Sequence, residues 1–306
     1  MLAMLDRLHI LPEIDAALAE GRPVVALEST VIAHGLPTPT NLETADAMEQ
    51  AVRDGGAVPA TIAVLDGRIR IGLDADDKAR LTEPGVAKLS RRDLAATLIS
   101  GAPGATTVSA TMICAHAAGI RVFATGGIGG VHRGAQDSMD ISADLLELGR
   151  TPVLTVSSGA KSILDLPRTL EYLETQGVPV LGYGTDSLPA FHSRESGLPV
   201  DRRVDSADDA ACIADLHWQL GLGGLLLCNP VPEDAALPGQ DVDAWTDAAL
   251  ALAAEAGISG KAVTPYLLSQ VAEASEGKTL RANTALLVDN ARLGAAVAVA
   301  LSRLHS

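Results

Sequence analysis

Aromatic side chains are scarce in this 306-residue chain: two Phe, three Tyr and two Trp, or 2% of the residues. A core must therefore be built from Ala, Val, Leu and Ile, the usual filling between helices and a sheet. Positive charge is also short. Lys and Arg number 23 against 38 Asp and Glu, a formal net charge of -15, which disfavours a nucleic-acid polymer or an anionic membrane surface as the main partner. A local basic pocket for a single phosphate stays compatible with that balance. The three cysteines, Cys114, Cys212 and Cys228, are odd in number, lie far apart and show no metal-ligand spacing, which suits a reducing compartment. No Ser/Pro-rich linker, low-complexity tract or internal repeat divides the chain, and one domain over residues 1–306 is expected. The N-terminal apolar pattern is interrupted by Asp6, Arg7, Glu13 and Asp15, which fits neither a signal peptide nor a membrane span and points to the cytoplasm.

What is present is an alternation of buried strands and helices. With 47% hydrophobic residues the chain can bury a large core. Residues 11–20 read as a short amphipathic helix stopped by Gly21, and Pro23 to Leu27 as a buried strand ending at Glu28. After HGLPTPTN, Asn41 is the expected N-cap of a helix to about Arg53. Thr61 to Leu65 and Arg68 to Leu73 flank Asp66-Gly67, which predicts an antiparallel hairpin. AKLSRRDL groups Lys88, Arg91 and Arg92, and GATTVSATMICAHAAGI reads as a small-residue turn running into a helix. Strands follow near Arg121 to Ala124, Val153 to Val156 and Val178 to Tyr183, with helices through the Asp140 region and after Lys161. A polar, turn-rich stretch after Tyr183 is a candidate lid. A helix near Ala207 to Leu220, a strand Gly224 to Cys228, and an Ala- and Leu-rich helical region punctuated by Gly257, Gly260 and Gly277 complete the chain. The expected fold class is α/β, with a mixed, mostly parallel central sheet and helices on both faces.

Polar groups crowd between Phe123 and Lys161, in FATGGIGGVHRGAQDSMDISADLLELGRTPVLTVSSGAK, and strand ends are where α/β proteins place their sites. Glu28 directly follows an apolar strand, as a general acid would or as an ordinary capping carboxylate. Lys161 is one of only five lysines and is kept among Gly, Ala and Ile. An amine in such a setting loses its proton more readily than one in water and can form a Schiff base, the alternative being a snorkelling surface lysine. Asp140 and Asp144, four apart on the expected helix, share a face, with Asp137 one turn earlier. Such repulsion is relieved by a hard divalent cation, or the charges simply complement a helix N-terminus, the reading preferred for Asp137. TGGIGG before His132 and Arg133 can offer amides to an anion, but it lacks the GxGxxG spacing, and no Walker lysine is present.

Taken together, ALESTVIAHGLPTPTN, GAVPATIAV, KLSRRDL, GATTVSATM, FATGGIGGVHRGA, DISADL, GAKSILDL with EYLET, and NPVPE resemble the pseudouridine-5′-phosphate glycosidases, also called pseudouridylate synthases, an indigoidine synthase A-like family. The resemblance runs in order from about Pro23 to the C-terminal helix. It implies reversible cleavage of the carbon-carbon glycosidic bond of pseudouridine 5′-phosphate to uracil and ribose 5-phosphate, with one divalent cation, usually Mn²⁺, per subunit of a homotrimer. By motif, Lys161 corresponds to the Schiff-base nucleophile and Glu28 to the proton donor. Lys88 and Val108 match substrate-contact positions, the latter through its backbone; Ser142, Ala143 and Asp144 match the segment that holds substrate, and Asp140 the metal site. His132 and Asn283 look like further active-site members. Two rival readings use the same residues differently: another Schiff-base lyase or aldolase acting on sugar phosphates, and a non-enzymatic nucleotide-binding protein.

Overall fold

Alternate residues of the buried strands face two different sets of helices, and this period-2 division of the core sets the architecture. A computed structural model describes residue 4, residues 6–258 and residues 263–305; Gly260, read above as a break between helices, lies outside them. One eleven-stranded sheet runs β1 (Leu8–Ile10), β4 (Arg68–Ile71), β3 (Val58–Leu65), β2 (Val24–Glu28), β7 (Val122–Ala124), β8 (Leu154–Ser157), β11 (Leu225–Cys228), β9 (Val180–Tyr183) and β10 (Arg202–Val204). Two further strands, β5 (Ala87–Leu89) and β6 (Gly104–Thr106), branch from β3. Pairing is parallel except where β3 meets β4 and β6. The expected mixed, mostly parallel α/β sheet is therefore the observed one. Asp66 and Gly67 both adopt positive φ, 53° and 71°, as the two-residue turn of a hairpin requires.

In β2, Val24 and Ala26 enter one core while Val25 and Leu27 enter the other, and in β11 Leu226 and Cys228 oppose Leu225 and Leu227. The first core is covered by α1 (Pro12–Ala19), α4 (Leu94–Ser100), α5 (Val108–Ala117), α7 (Ala143–Leu148), α8 (Leu166–Thr175), α10 (Gly239–Glu255) and α11 (Val263–Ala274). The second lies under α2 (Thr40–Asp54), α9 (Ala207–Gln219) and α12 (Lys278–Leu304). The short α3 (Ala75–Arg80) is tied to α2 by Lys78, whose ammonium lies 2.8 Å from Asp46 and 2.7 Å from Glu49. By length and hydropathy α12 could cross a membrane, but 61% of its apolar window is buried inside the protein. A Cβ on its Gly294 would sit 3.1 Å from Ala124, so it is a core helix lying close against β7.

Three local expectations are corrected. Asn41 lies inside α2 rather than capping it; its side chain instead donates to the Ile32 carbonyl at 2.8 Å. No single helix carries Asp140 and Asp144. The chain forms α6 (Ala135–Ser138), leaves it through Met139 at φ 56°, and starts α7 only after Ser142, which accepts from the Asp144 N–H as N-cap. A positive φ at a non-glycine residue ends a helix, so the two carboxylates do not share a helical face. The helix expected after Lys161 starts later than an uninterrupted turn would place it, at Leu166, with Asp165 as its N-cap and four non-helical residues between. The stretch after Tyr183, the candidate lid, is packed down, with Leu188, Phe191 and His192 each 2% exposed.

Candidate active site

Three neighbouring parallel strands deliver the central groups at their carboxyl ends, the place where open α/β sheets bind ligands. Glu28 is the last residue of β2 and is 7% exposed; one carboxylate oxygen accepts from the Thr30 hydroxyl and the other from Thr125. Thr125, Gly126 and Gly127 follow β7. Lys161, four residues past β8, donates from Nζ to the Gly127 carbonyl at 2.6 Å. Backbone bonds continue the β7–β8 contact beyond the strands, with Ile128 N–H to the Gly159 carbonyl and Lys161 N–H to the Ile128 carbonyl. Gly127 is required here: a Cβ would lie 2.7 Å from the Phe191 ring.

A buried amide fixes this segment. Asn290 of α12 is fully buried and donates to the carbonyls of Thr125 at 2.9 Å and Gly126 at 3.3 Å, and to Ser158 Oγ at 3.1 Å. Its Oδ1 accepts from Asn229 at 3.1 Å. Satisfied buried networks of this kind hold one arrangement because every alternative strands a polar group.

The turn after the glycine pair is clamped by Asp144. Its Oδ2 accepts from the Gly129 N–H at 2.9 Å and its Oδ1 from the Ser109 N–H at 3.0 Å, joining the TGGIGG turn to the first turn of α5. Gly129 leaves room for this clamp, since a Cβ would fall 2.2 Å from Ser142 Oγ. The Asp144 carboxylate is thus committed to two backbone donors. Asp140 differs: its carbonyl accepts from the His132 N–H at 3.0 Å, but no hydrogen bond or ion pair to its carboxylate occurs among the described residues. Arg91 forms a two-pronged pair with buried Glu147, at 2.6 and 2.8 Å. Asp137 is exposed on α6 and is not part of the cavity lining.

These elements enclose a cavity of about 550 Å³. Glu28, Lys88, Val108, His132, Asp140, Ser142, Ala143, Asp144, Lys161 and Asn283 all line it, so the ten residues that the motif resemblance pointed to are brought to one place. Arg91 and Arg92 line it with Lys88. Thr30, His34, Thr107 and Phe191 also line it, and Thr125 and Asn290 support it from behind. Sequence reasoning passed over these six, although His34 stands in the quoted AHGLPTP stretch. Burial holds His132 below the usual imidazole range; Asp140 opposes that shift, while Lys88 and Lys161 reinforce it. Burial and then Lys88 depress His34 likewise, against a backbone hydrogen bond to Ala87.

Among the described residues no three His, Cys, Asp or Glu side chains are grouped as a ready-made metal cage. The donors present do fit a hard cation that keeps most of its waters, because Asp140 offers one carboxylate at the cavity that no group among the described residues has claimed.

The family model described as "Indigoidine synthase A like protein" matches residues 13–300. The chain is 61% identical over 302 residues to a pseudouridine-5′-phosphate glycosidase of Rhodospirillum centenum, covering 98% of this chain and 94% of that one. It is 55% identical to the enzyme of the same name from Caldanaerobacter subterraneus, with 96% of each chain covered. Among solved structures it superposes with a TM-score of 0.91 on the prealnumycin C-glycosynthase AlnA in complex with ribulose 5-phosphate, at 47% identity over 97% of this chain and 98% of that one. An indigoidine synthase A-like protein of Thermotoga maritima gives a TM-score of 0.87 at 36% identity, covering 93% and 94%.

Proposed function

The chain belongs to the indigoidine synthase A-like family, and we propose that it is a pseudouridine-5′-phosphate glycosidase, cleaving the carbon-carbon glycosidic bond of pseudouridine 5′-phosphate to uracil and ribose 5-phosphate in a reversible reaction. Its relatives at 53–61% identity carry that name over nearly their whole length. The observation that carries the reading is the pairing of Glu28 and Lys161 across one glycine-rich segment inside a single cavity.

The residue types suit the chemistry. A carbon leaving group needs an electronic partner at the anomeric carbon that an ordinary pair of glycosidase carboxylates does not supply. Lys161 provides it as the amine nucleophile. Glu28 moves the proton that opens the sugar ring, and Lys161 becomes joined to C1′ of the open chain. The nitrogen lone pair then expels C5 of uracil, which takes up a proton, and C1′ remains as an iminium. Water adds to that iminium and releases ribose 5-phosphate and free Lys161, so one water is consumed per bond broken. In the reverse direction the iminium is the electrophile that uracil attacks. The basic end formed by Lys88, Arg91 and Arg92 accommodates the phosphate, and the amide end of α5 at Val108 adds to that field. Ser142 and Ala143 line the same chamber, where their backbone can hold substrate, and Asp144 supports them through its clamp. Asn283 and His132 offer further polar contacts.

A divalent cation held by Asp140, Mn²⁺ or a similar hard ion, would supply positive charge toward the uracil as negative charge develops on it. A homotrimeric assembly and a cytoplasmic location complete the proposal; the three cysteines are free, with Cys114 and Cys228 buried, as suits a reducing compartment.

The deciding experiment incubates the protein and Mn²⁺ with pseudouridine 5′-phosphate. Uracil is released by the wild type and not by Lys161→Ala, and borohydride with ribose 5-phosphate leaves a covalent adduct on Lys161. Intact pseudouridine 5′-phosphate in the presence of folded wild-type protein would sink the assignment. Product formed from the sugar phosphate without uracil would favour an aldolase-like lyase instead.

A further inference from the structure

Helix α7 sends two buried carboxylates in different directions. Asp144 clamps the glycine turn, whereas Glu147, 1% exposed, takes a fork from Arg91: Nε donates to Oε2 at 2.6 Å and Nη2 to Oε1 at 2.8 Å. The Thr151 hydroxyl also donates to Oε1. The backbone end of Arg91 is fixed as well. It opens a single 3₁₀ turn, Arg91–Asp93, in which the Asp93 N–H donates to the Ser90 carbonyl at 3.0 Å and the Ser90 N–H donates to the Asp93 carboxylate at 2.9 Å. An arginine pinned at both ends has little rotamer freedom left to lose when it meets a ligand.

Neutralising Glu147 does not call for an open arginine. The Arg91 side chain is nonetheless 46% exposed and lines the cavity. With Nε and Nη2 turned to Glu147, its Nη1 edge has no partner among the described residues. Arg92 is the contrast, 76% exposed with Asp93 4.0 Å away, a charge without a fixed direction. We propose that Arg91 is the residue that reads the phosphate of the substrate, and that Glu147 is a positioning residue holding the guanidinium at the cavity wall; this rests on the glycosidase reading above. N–H donors aimed in advance suit the oxygens of a phosphate. Charge and positioning predict opposite signs here. Removing a negative group near a phosphate would by itself tighten phosphate binding, whereas freeing the guanidinium to swing away loosens it.

The test measures binding of ribose 5-phosphate and inorganic phosphate to the full chain by titration calorimetry, and KM for ribose 5-phosphate and for uracil in the synthetic direction. Arg91→Ala is expected to weaken both phosphate ligands by about 10- to 100-fold. Glu147→Gln, nearly the same shape, is expected to weaken them by about 5- to 10-fold, raising KM for ribose 5-phosphate but not for uracil. Combined with Arg91→Ala it should cost nothing further, because Glu147 acts through Arg91. Arg91→Lys keeps the charge without the fork and should fall between wild type and Arg91→Ala. Thermal unfolding checks each variant; where Arg91→Ala does not fold, Arg91→Lys with and without Glu147→Gln carries the same comparison. The proposal is overturned if the Arg91 variants bind phosphate as the wild type does, if Glu147→Gln binds it more tightly, if the double variant loses more than Arg91→Ala alone, or if KM for uracil rises in step with that for ribose 5-phosphate. Wild-type protein inert toward pseudouridine 5′-phosphate overturns the glycosidase reading itself, and the calorimetry with inorganic phosphate then still decides the roles of Arg91 and Glu147.

Discussion

Glu28 and Lys161 are anchored on one three-residue segment, Thr125 to Gly127: the Thr125 hydroxyl donates to the Glu28 carboxylate, and Lys161 Nζ donates to the Gly127 carbonyl at 2.6 Å. The proton carrier and the nucleophile come from different strands, yet their spacing is set by one short segment after β7. That segment is itself held from α12 by Asn290. A shift of this backbone moves both groups together.

Asn290→Ala is therefore expected to reduce both stability and turnover. It leaves the Thr125 and Gly126 carbonyls without their buried donor, which costs about 2–4 kcal/mol together with the space vacated. Denaturant unfolding measures the first effect. Steady-state kinetics measure the second, with kcat falling more than KM rises, because misplacing catalytic groups weakens the transition state more than substrate binding. An unchanged kcat in folded protein would show that Asn290 serves stability alone.

Thr125→Val removes a hydroxyl from Glu28 while keeping shape. The carboxylate loses its hold from the β7 side and retains Thr30. A loss of about 10-fold or more in kcat is expected, with a displaced pH–rate profile, since positioned proton transfer contributes roughly 10²–10⁴-fold. Thr125→Ser keeps the hydroxyl and should retain most activity. Equal loss in both variants would point to packing by the methyl group rather than to the hydrogen bond.

The strands were legible in the sequence because their apolar runs are buried on both faces, and no polar residue interrupts Val24 to Leu27 or Leu225 to Leu227. The hairpin was legible because Asp66-Gly67 suits its left-handed turn. Asp140 to Asp144 misled, since spacing alone suggests a helix and only the backbone shows the break at Met139. Glu28 stood out by its place after an apolar strand and Lys161 by its small, apolar setting, whereas Lys88, Val108, Ser142, Ala143 and Asn283 were found through motif resemblance. Asn290 was invisible because it is one amide in a long apolar helix, and its role exists only after α12 docks more than 130 residues away from Ser158.

Asp144→Asn tests the clamp between the glycine turn and α5. The carboxylate now accepts two N–H groups, and an amide must turn an NH₂ toward one of them. Loss of one bond to a buried, charged acceptor, with a donor left facing a donor, predicts destabilisation of about 2–3 kcal/mol. Gly129→Ala should act on the same contact by pressing on Ser142 and Asp144, 2.2 and 2.8 Å from the added carbon. Because both changes break one junction, the double variant should lose clearly less than the sum, as a double-mutant cycle by urea unfolding would read. Additive losses would mean that the two residues stabilise separate parts of the turn.

Acid should weaken the fold before it removes any ion pair, and His192 gives the sign. Burial of this residue, in the segment after Tyr183, pushes its imidazole down to about 3 from the ordinary 6.5. The native ring stays neutral until about pH 3, whereas the unfolded ring binds a proton once the pH drops below about 6.5. Within that window the unfolded state holds more protons, so stability is complete above it and declines as the pH falls, at up to about 1.4 kcal/mol per pH unit for one group. His34, His116, His132 and His217 are shifted in the same direction, also chiefly by burial, and add to the slope. His192→Gln cannot take up that proton. Its melting temperature between pH 6.5 and 4 should therefore fall less steeply than that of the wild type, whatever its absolute value at pH 7. Parallel melting curves for the two proteins across this range would mean that the His192 ring is protonated in the native state as readily as in the unfolded chain.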